Sequence, residues 1–297
     1  MTLSQVLKSG GNVVAPGVFD ALTASIAESA GFKALYLSGA AIAYTHLGRP
    51  DIGLVSMAEV ADRIAMIADR VSTPIIVDAD TGYGNALNVQ RTVRLFEKMG
   101  AQAIQLEDQT TPKRCGHLND KSVISAGEMV GKIRAAVDAR RSEDTLIIAR
   151  TDALQMEGIE RAMERANLYA EAGADILFVE APKSGDQLGS IAGALKGVKP
   201  LVANMVEGGT TPIHNAAELG ELGFQIVIFP GGVVRAMART ATEYYQSLAE
   251  NGSNAPFAGR MFDFNGLNAL IGTPQMLELG ATYEDKNDTK DRDEDAA

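Results

Sequence analysis

The chain of 297 residues has one cysteine, no tryptophan, three histidines and only 5% aromatic residues. A single cysteine excludes an intrachain disulfide and fits a reducing compartment. Without a His/Cys cluster there is no zinc-type ligand set; His46 and His214 stand isolated in the sequence. No run approaches the ~18 apolar residues of a membrane-spanning helix, and the opening "MTLSQVLKSGGNVVAPG" lacks the apolar stretch of a signal peptide. The expectation is a cytoplasmic protein with no membrane partner. Basic charge is also scarce. Lys and Arg number 27 against 38 Asp and Glu, a net charge of −11, which argues against nucleic acid as the main partner. Acidic small molecules remain open, because a local cationic cluster overrides the global sign. Neither G-x-x-x-x-G-K nor G-x-G-x-x-G stands at a strand–helix turn, so neither ATP nor NAD is expected.

What the sequence does contain is a regular alternation. Short apolar runs at 12–17, 34–39, 74–80, 103–108, 145–151, 176–182, 200–205 and 225–231 read as strands buried on both faces, as in a parallel sheet. Between them lie amphipathic segments such as 56–71, 86–100 and 158–173, the last two ending in Gly. Eight strand–helix units fit a closed (β/α)8 barrel. The expected organisation is a catalytic barrel over 1–252, a helical extension over 253–283, and an acidic tail over 284–297 too poor in apolar groups to order.

In such a barrel, catalytic side chains stand at the C-terminal ends of the strands. Those ends carry Ser38 and Gly39, Asp78 and Asp80, Glu107 and Asp108, Arg150 and Asp152, Glu180 and Asn204. Helix capping accounts for some of them, such as Asp152, but Glu107 and Arg150 are poor cap residues. In "VDADTGYGN" the spacing of Asp78 and Asp80 puts both on one face of a strand. Paired carboxylates need a cation between them or a shared proton. Oxygen-only donors suit Mg²⁺ or Mn²⁺, with Glu107 from the next rim position and Asp51 from a loop as further candidates. The lone Cys115 sits in "KRCGH" beside Lys113, Arg114 and His117, where cationic surroundings favour a thiolate. The segment from Gln109 to Ile124 is the longest connection and reads as a lid. Arg150 suits a substrate carboxylate.

Together, "VDADTGYGN", "EDQ…PKRCGH", "IIARTDA" and "NMVEGG" resemble the isocitrate lyase/phosphoenolpyruvate mutase superfamily, over residues 10 to 250. The K-R-C-G-H loop is similar to its carbon–carbon lyase branch, which includes 2-methylisocitrate lyase, 2,3-dimethylmalate lyase and petal-death-type oxaloacetate hydrolases. The resemblance implies a Mg²⁺ ion held directly by Asp78, with Asp51, Asp80 and Glu107 around it. It implies a 2-oxoacid carboxylate bound at Ser38, Gly39 and Ala40, further contacts from Arg150, Glu180, Asn204 and Tyr36, and Cys115 as general acid on a loop with Lys113, Arg114 and His117. It also implies a homotetramer with a helix swapped between subunits. The activity implied is retro-aldol (retro-Claisen) cleavage of a 2-hydroxy di- or tricarboxylate to a 2-oxoacid and a carboxylate. The Gly-Gly after Glu207 and "FDFNGLNALIG" favour a 2-alkylmalate, ahead of 2-methylisocitrate. Oxaloacetate hydrolysis and a phosphonopyruvate hydrolase or mutase reaction are the alternatives. The base that takes the substrate hydroxyl proton stays open among Tyr36, Tyr83, Glu180 and a metal-bound hydroxide.

Overall fold

The computed structural model describes residues 1–116, 121–209, 211–212 and 214–284; His117 and most of the acidic tail lie outside them. Two compact units divide at 238/239. In the first, eight parallel strands close on themselves in chain order. They are β1 (Val13–Val18), β2 (Leu35–Leu37), β3 (Ile75–Asp78), β4 (Ala103–Glu107), β5 (Leu146–Thr151), β6 (Ile176–Val179), β7 (Leu201–Asn204) and β8 (Ile226–Phe229). β8 returns to β1 with Val13 opposite Ile226 and Pro16 opposite Phe229, which seals the barrel. The expected (β/α)8 barrel is the observed fold.

The helices begin and end where local chemistry dictates. Helix α1 (Leu3–Lys8) and α2 (Ala21–Ser29) precede β1 and β2, α3 (Gly39–Ile42) follows β2, and α4 is Met57–Arg70. Ser56 caps α4 in a reciprocal box with Glu59, and the helix buries Val60, Ile64 and Ile67, the stripe read from sequence. Helix α5 (Ala86–Met99) stops at Gly100, whose φ of 110° an L side chain rarely adopts. At the end of α2, Glu28 Oε1 accepts from the backbone N–H of Ser72 and of Thr73, at 2.8 and 2.9 Å, and from both their hydroxyls. This fixes the turn into β3.

Two apolar layers follow from the strand pleat. Ile75 and Val77 point outward to the helices, together with Ile104, Ile147 and Leu177. Ile76, Ala103, Ile148, Phe178, Val202 and Ile226 point into the barrel, where Leu3 and Val6 of α1 join them. Continuing the inward alternation by two residues, or by four on β4, places Asp78, Glu107, Arg150, Glu180 and Asn204 at the open end. The strands thus aim the polar rim.

The second unit, described to residue 284, holds the C-terminal part of α11 (Gly232–Asn251) and two further helices, Phe264–Ile271 and Thr273–Ala281. They match the two helical pieces read over 261–283. Tyr244 donates to Asn254 Oδ1 at 3.0 Å and packs edge-on against Phe257. Phe262, Phe264, Met276, Leu277 and Tyr283 are exposed.

Candidate active site

A cavity of about 60 Å³ opens at the C-terminal ends of the strands. Its wall includes Tyr36, Ala40, Asp51, Asp78, Lys113, Cys115, Arg150, Glu180 and Asn204. Residues far apart in sequence therefore meet where the pleat and the long β4–α6 connection bring them, α6 being Ala126–Ala139. Ser38 and Gly39 are buried just outside the wall. Ser38 caps α3, its Oγ accepting from Ala41 N at 3.2 Å, which leaves the hydroxyl proton available. Arg114 is exposed and off the wall, its backbone held at both ends by the Gln109 amide. His117 falls outside the described residues.

The two aspartates meet by a different route from the one their spacing predicts. β3 ends at Asp78, and Asp80 has a φ of 48°. The pair is thus joined by a left-handed turn, a conformation Asp tolerates better than most residues. Asp80 N donates to Asp78 Oδ1 at 3.2 Å, as does Gln105 Nε2 at 3.3 Å. A Cβ on Gly39 would stand 3.3 Å from Asp78 Oδ2 and 3.4 Å from Asp80 Oδ1. Glycine therefore lets the 38–40 backbone lie close against both carboxylates.

The Lys113 ammonium occupies the centre of this acidic corner, 2.5 Å from Asp51 Oδ1 and 2.8 Å from Asp80 Oδ1. Burial draws the ammonium down, but Asp80 and Asp51 outweigh it and hold it well above the usual lysine range. Burial raises Asp80 to about 6, against the pull of Lys113. It also pushes Glu107 well above the carboxylate range, despite Arg150 at 3.1 Å. Asp80 Oδ1, whose ion pair lacks hydrogen-bond alignment, and Glu107 Oε1 are buried without a hydrogen-bond donor among the described residues.

Those two oxygens and the all-carboxylate donor set fit a hard divalent cation. Among the described residues no three acids converge closely enough to hold an ion alone.

Arg150, already paired with Glu107, is also gripped by Asp152, Nε to Oδ2 at 2.9 Å and Nη2 to Oδ1 at 3.0 Å, and stacks on Phe178. The capping reading of Asp152 is corrected here. The first residue before α7 (Leu154–Glu157) is Ala153, with no side-chain cap, and Asp152 spends its oxygens on cations. Asn204 Nδ2 donates to Glu180 Oε1 at 3.1 Å, and Asn204 Oδ1 is buried without a donor among the described residues. Tyr36 donates to Gln105 Oε1 at 3.1 Å, and burial raises its phenol well above the usual range. Tyr83 is off the wall and packs against Phe96.

The sequence reading missed Gln105, Tyr44, Val206 and Arg235, all at this site. Gln105 carried a usable signal, a polar residue on the inward face of "AIQLE" two before Glu107. Tyr44 lies in the helical turn Ala43–Leu47, Val206 just after β7 and Arg235 on α11, and they gave none.

Fold and site define a barrel enzyme scaffold whose open rim gathers carboxylates, an ammonium, a guanidinium and a thiol around one cavity. A family model described as phosphoenolpyruvate phosphomutase matches residues 3–249. The chain belongs to this family, within the phosphoenolpyruvate mutase/isocitrate lyase superfamily. It is 42% identical over 281 residues to 2,3-dimethylmalate lyase of Eubacterium barkeri, covering 95% of this chain and 96% of that one. It is 46% identical over 272 residues to 2-methylisocitrate lyase of Aeropyrum pernix, covering 92% and 87%. Among solved structures, oxaloacetate acetylhydrolase in complex with 3,3-difluorooxalacetate superposes with a TM-score of 0.90 at 35% identity, covering 95% of this chain and 97% of that one.

Proposed function

We propose that the protein is a divalent-cation-dependent carbon–carbon lyase. It would cleave a short 2-hydroxy dicarboxylate, of the 2-alkylmalate type, to a 2-oxoacid and a carboxylate, with Cys115 as general acid. The relatives named as lyases support the reaction class. The observation that carries the reading is that Asp78 and Cys115 line one cavity, with Lys113 and Arg150 on the same wall.

Asp78, with Asp51, Asp80 and Glu107, would hold Mg²⁺, which when bound supplies Lewis-acid polarisation of the substrate's hydroxyl and carboxylate oxygens. Arg150, held rigid by Asp152, takes a substrate carboxylate. The 38–40 backbone and the Ser38 hydroxyl take the carboxylate of the 2-oxoacid half. Glu180, on the cavity wall, takes the hydroxyl proton, and the oxygen forms the new C=O as the adjacent C–C bond breaks. The bonding pair goes to the other fragment as an enediolate. Its carbon takes the proton from Cys115, leaving a thiolate. Lys113, which lines the same cavity, stabilises negative charge on either species. Asn204 Oδ1 offers an acceptor to a substrate hydroxyl.

A cavity of about 60 Å³ favours short substrates. Tyr44, Val206 and Pro230 give it an apolar side for an alkyl branch. A cytoplasmic homotetramer is the proposed assembly, supported by the exposed Phe264, Leu277 and Tyr283.

The test is 2-oxoacid release from dimethylmalate, citramalate, 2-methylisocitrate, isocitrate and oxaloacetate, with Mg²⁺ and with EDTA. Pyruvate or glyoxylate release that requires Mg²⁺ supports the lyase. Oxalate plus acetate from oxaloacetate alone reassigns the protein as a hydrolase. Turnover of phosphonopyruvate that is indifferent to Cys115→Ser discards the cysteine scheme.

A further inference from the structure

Lys121 plays no part in the reaction scheme, yet its side chain is only 1% exposed. An ammonium so buried needs partners. It has two, on different segments: it donates to the Gly116 carbonyl and to Asp152 Oδ1, the latter at 3.0 Å. Asp152 is the carboxylate that grips Arg150 through both oxygens. Asp152 is itself held from behind. Its N–H donates to Asp108 Oδ1 at 2.8 Å, and Asp108 Oδ2 accepts from the hydroxyls of Thr151 and Tyr169 at 2.8 and 2.7 Å. One rigid carboxylate thus orients the Arg150 guanidinium and, through Lys121, the residue next to the thiol.

A second observation points the same way. A Cβ on Gly116 would collide with Arg150 Nη2 and stand 2.5 Å from Glu180 Oε1. The loop backbone is therefore seated directly on the guanidinium. Cys115 is bracketed, with Lys113 tied to Asp51 and Asp80 on one side and Gly116 tied through Lys121 to Asp152 on the other.

We propose that Lys121 is a positioning residue that fixes Cys115 relative to Arg150 by bolting the Gly116 carbonyl to Asp152. Its catalytic consequence rests on the reading of Cys115 as the general acid. Its geometric consequence does not.

Because Cys115 is the only cysteine, a thiol reagent reports on it alone. Cys115 is half-buried at the rim, so the rate with the bulky dianion 5,5′-dithiobis(2-nitrobenzoate), compared with the parent's, reads displacement of its loop. In Lys121→Met that rate should rise about tenfold or more, since accessibility controls thiol reactivity. kcat should fall by about a hundredfold, the effect of a ~1 Å misplacement, with KM changed far less. Lys121→Arg should restore both in part. A reagent rate in Lys121→Met equal to that of the parent overturns the proposal. If Lys121→Met does not fold by circular dichroism, Lys121→Gln is measured against the same criterion. A raised reagent rate alongside full activity of Cys115→Ser would keep the bolt and sink the general-acid reading, so the two failures are separable.

Discussion

The Lys113 ammonium lies between Asp51 and Asp80, 2.5 and 2.8 Å from their Oδ1 atoms, where two buried carboxylates would otherwise face each other. Removing one member of a buried charge cluster leaves the others uncompensated. Lys113→Met should lower kcat by about 10²–10³, the range for losing one preorganised donor. Initial-rate kinetics with saturating Mg²⁺ checks this, and a kcat within threefold of the parent would remove Lys113 from the scheme.

Gly116→Ala tests the seat of the loop. The added methyl meets Arg150 and Glu180, groups that hold still because Asp152 and Asn204 hold them. Activity should drop by about a hundredfold, while the melting temperature stays near that of the parent, because the loop carries little of the core. An unchanged kcat/KM would mean that the loop seats elsewhere during turnover.

Asp108 tests the support behind the site. Its fully buried carboxylate takes Thr151, Tyr169, Arg165 and the Asp152 N–H, although burial raises its pKa. Asp108→Ala strands the Asp152 amide and the Thr151 and Tyr169 hydroxyls, while Arg165 keeps Glu157, and should cost about 1–3 kcal/mol. Urea denaturation monitored by circular dichroism measures it. A loss below 1 kcal/mol would show that water replaces the carboxylate without penalty.

Acid sensitivity should concentrate in part at Glu28. Partial burial raises its pKa, but the Thr73 and Ser72 donors outweigh that and hold it below 4.5. A depressed carboxylate contributes stability above its unfolded value, and that contribution disappears as pH falls through the folded value. Between pH 5 and 3 the parent should therefore lose more melting temperature than Glu28→Gln. Parallel curves would contradict the assignment.

Strand positions were legible because burial on both faces demands apolar runs; "PIIVDAD" and "TLIIART" allow little else. The rim residues Asp78, Glu107, Arg150 and Asn204 were legible for the same reason in reverse, as polar side chains ending apolar runs. The joining of Asp78 to Asp80 was read with the wrong geometry, because nothing local announces that a strand stops two residues before a left-handed Asp. Partnerships across long separations left no local trace. Asp51 and Lys113 are 62 residues apart, and Lys121 and Asp152 are 31 apart. Only closure of the barrel brings them together.

The ends of the cysteine segment are stitched to each other. Gln109 and Val123 form an antiparallel bridge, Thr110 N–H donates to the Ser122 carbonyl at 2.9 Å, and their hydroxyls meet at 2.6 Å. The two stems thus enter and leave the scaffold side by side, like an insert with its own closed base. Exchanging what lies between them for another family member's sequence should disturb no strand of the barrel. Reaction type at this rim is in that sense modular: new chemistry can be grafted at one seam while the eight-stranded frame stays untouched.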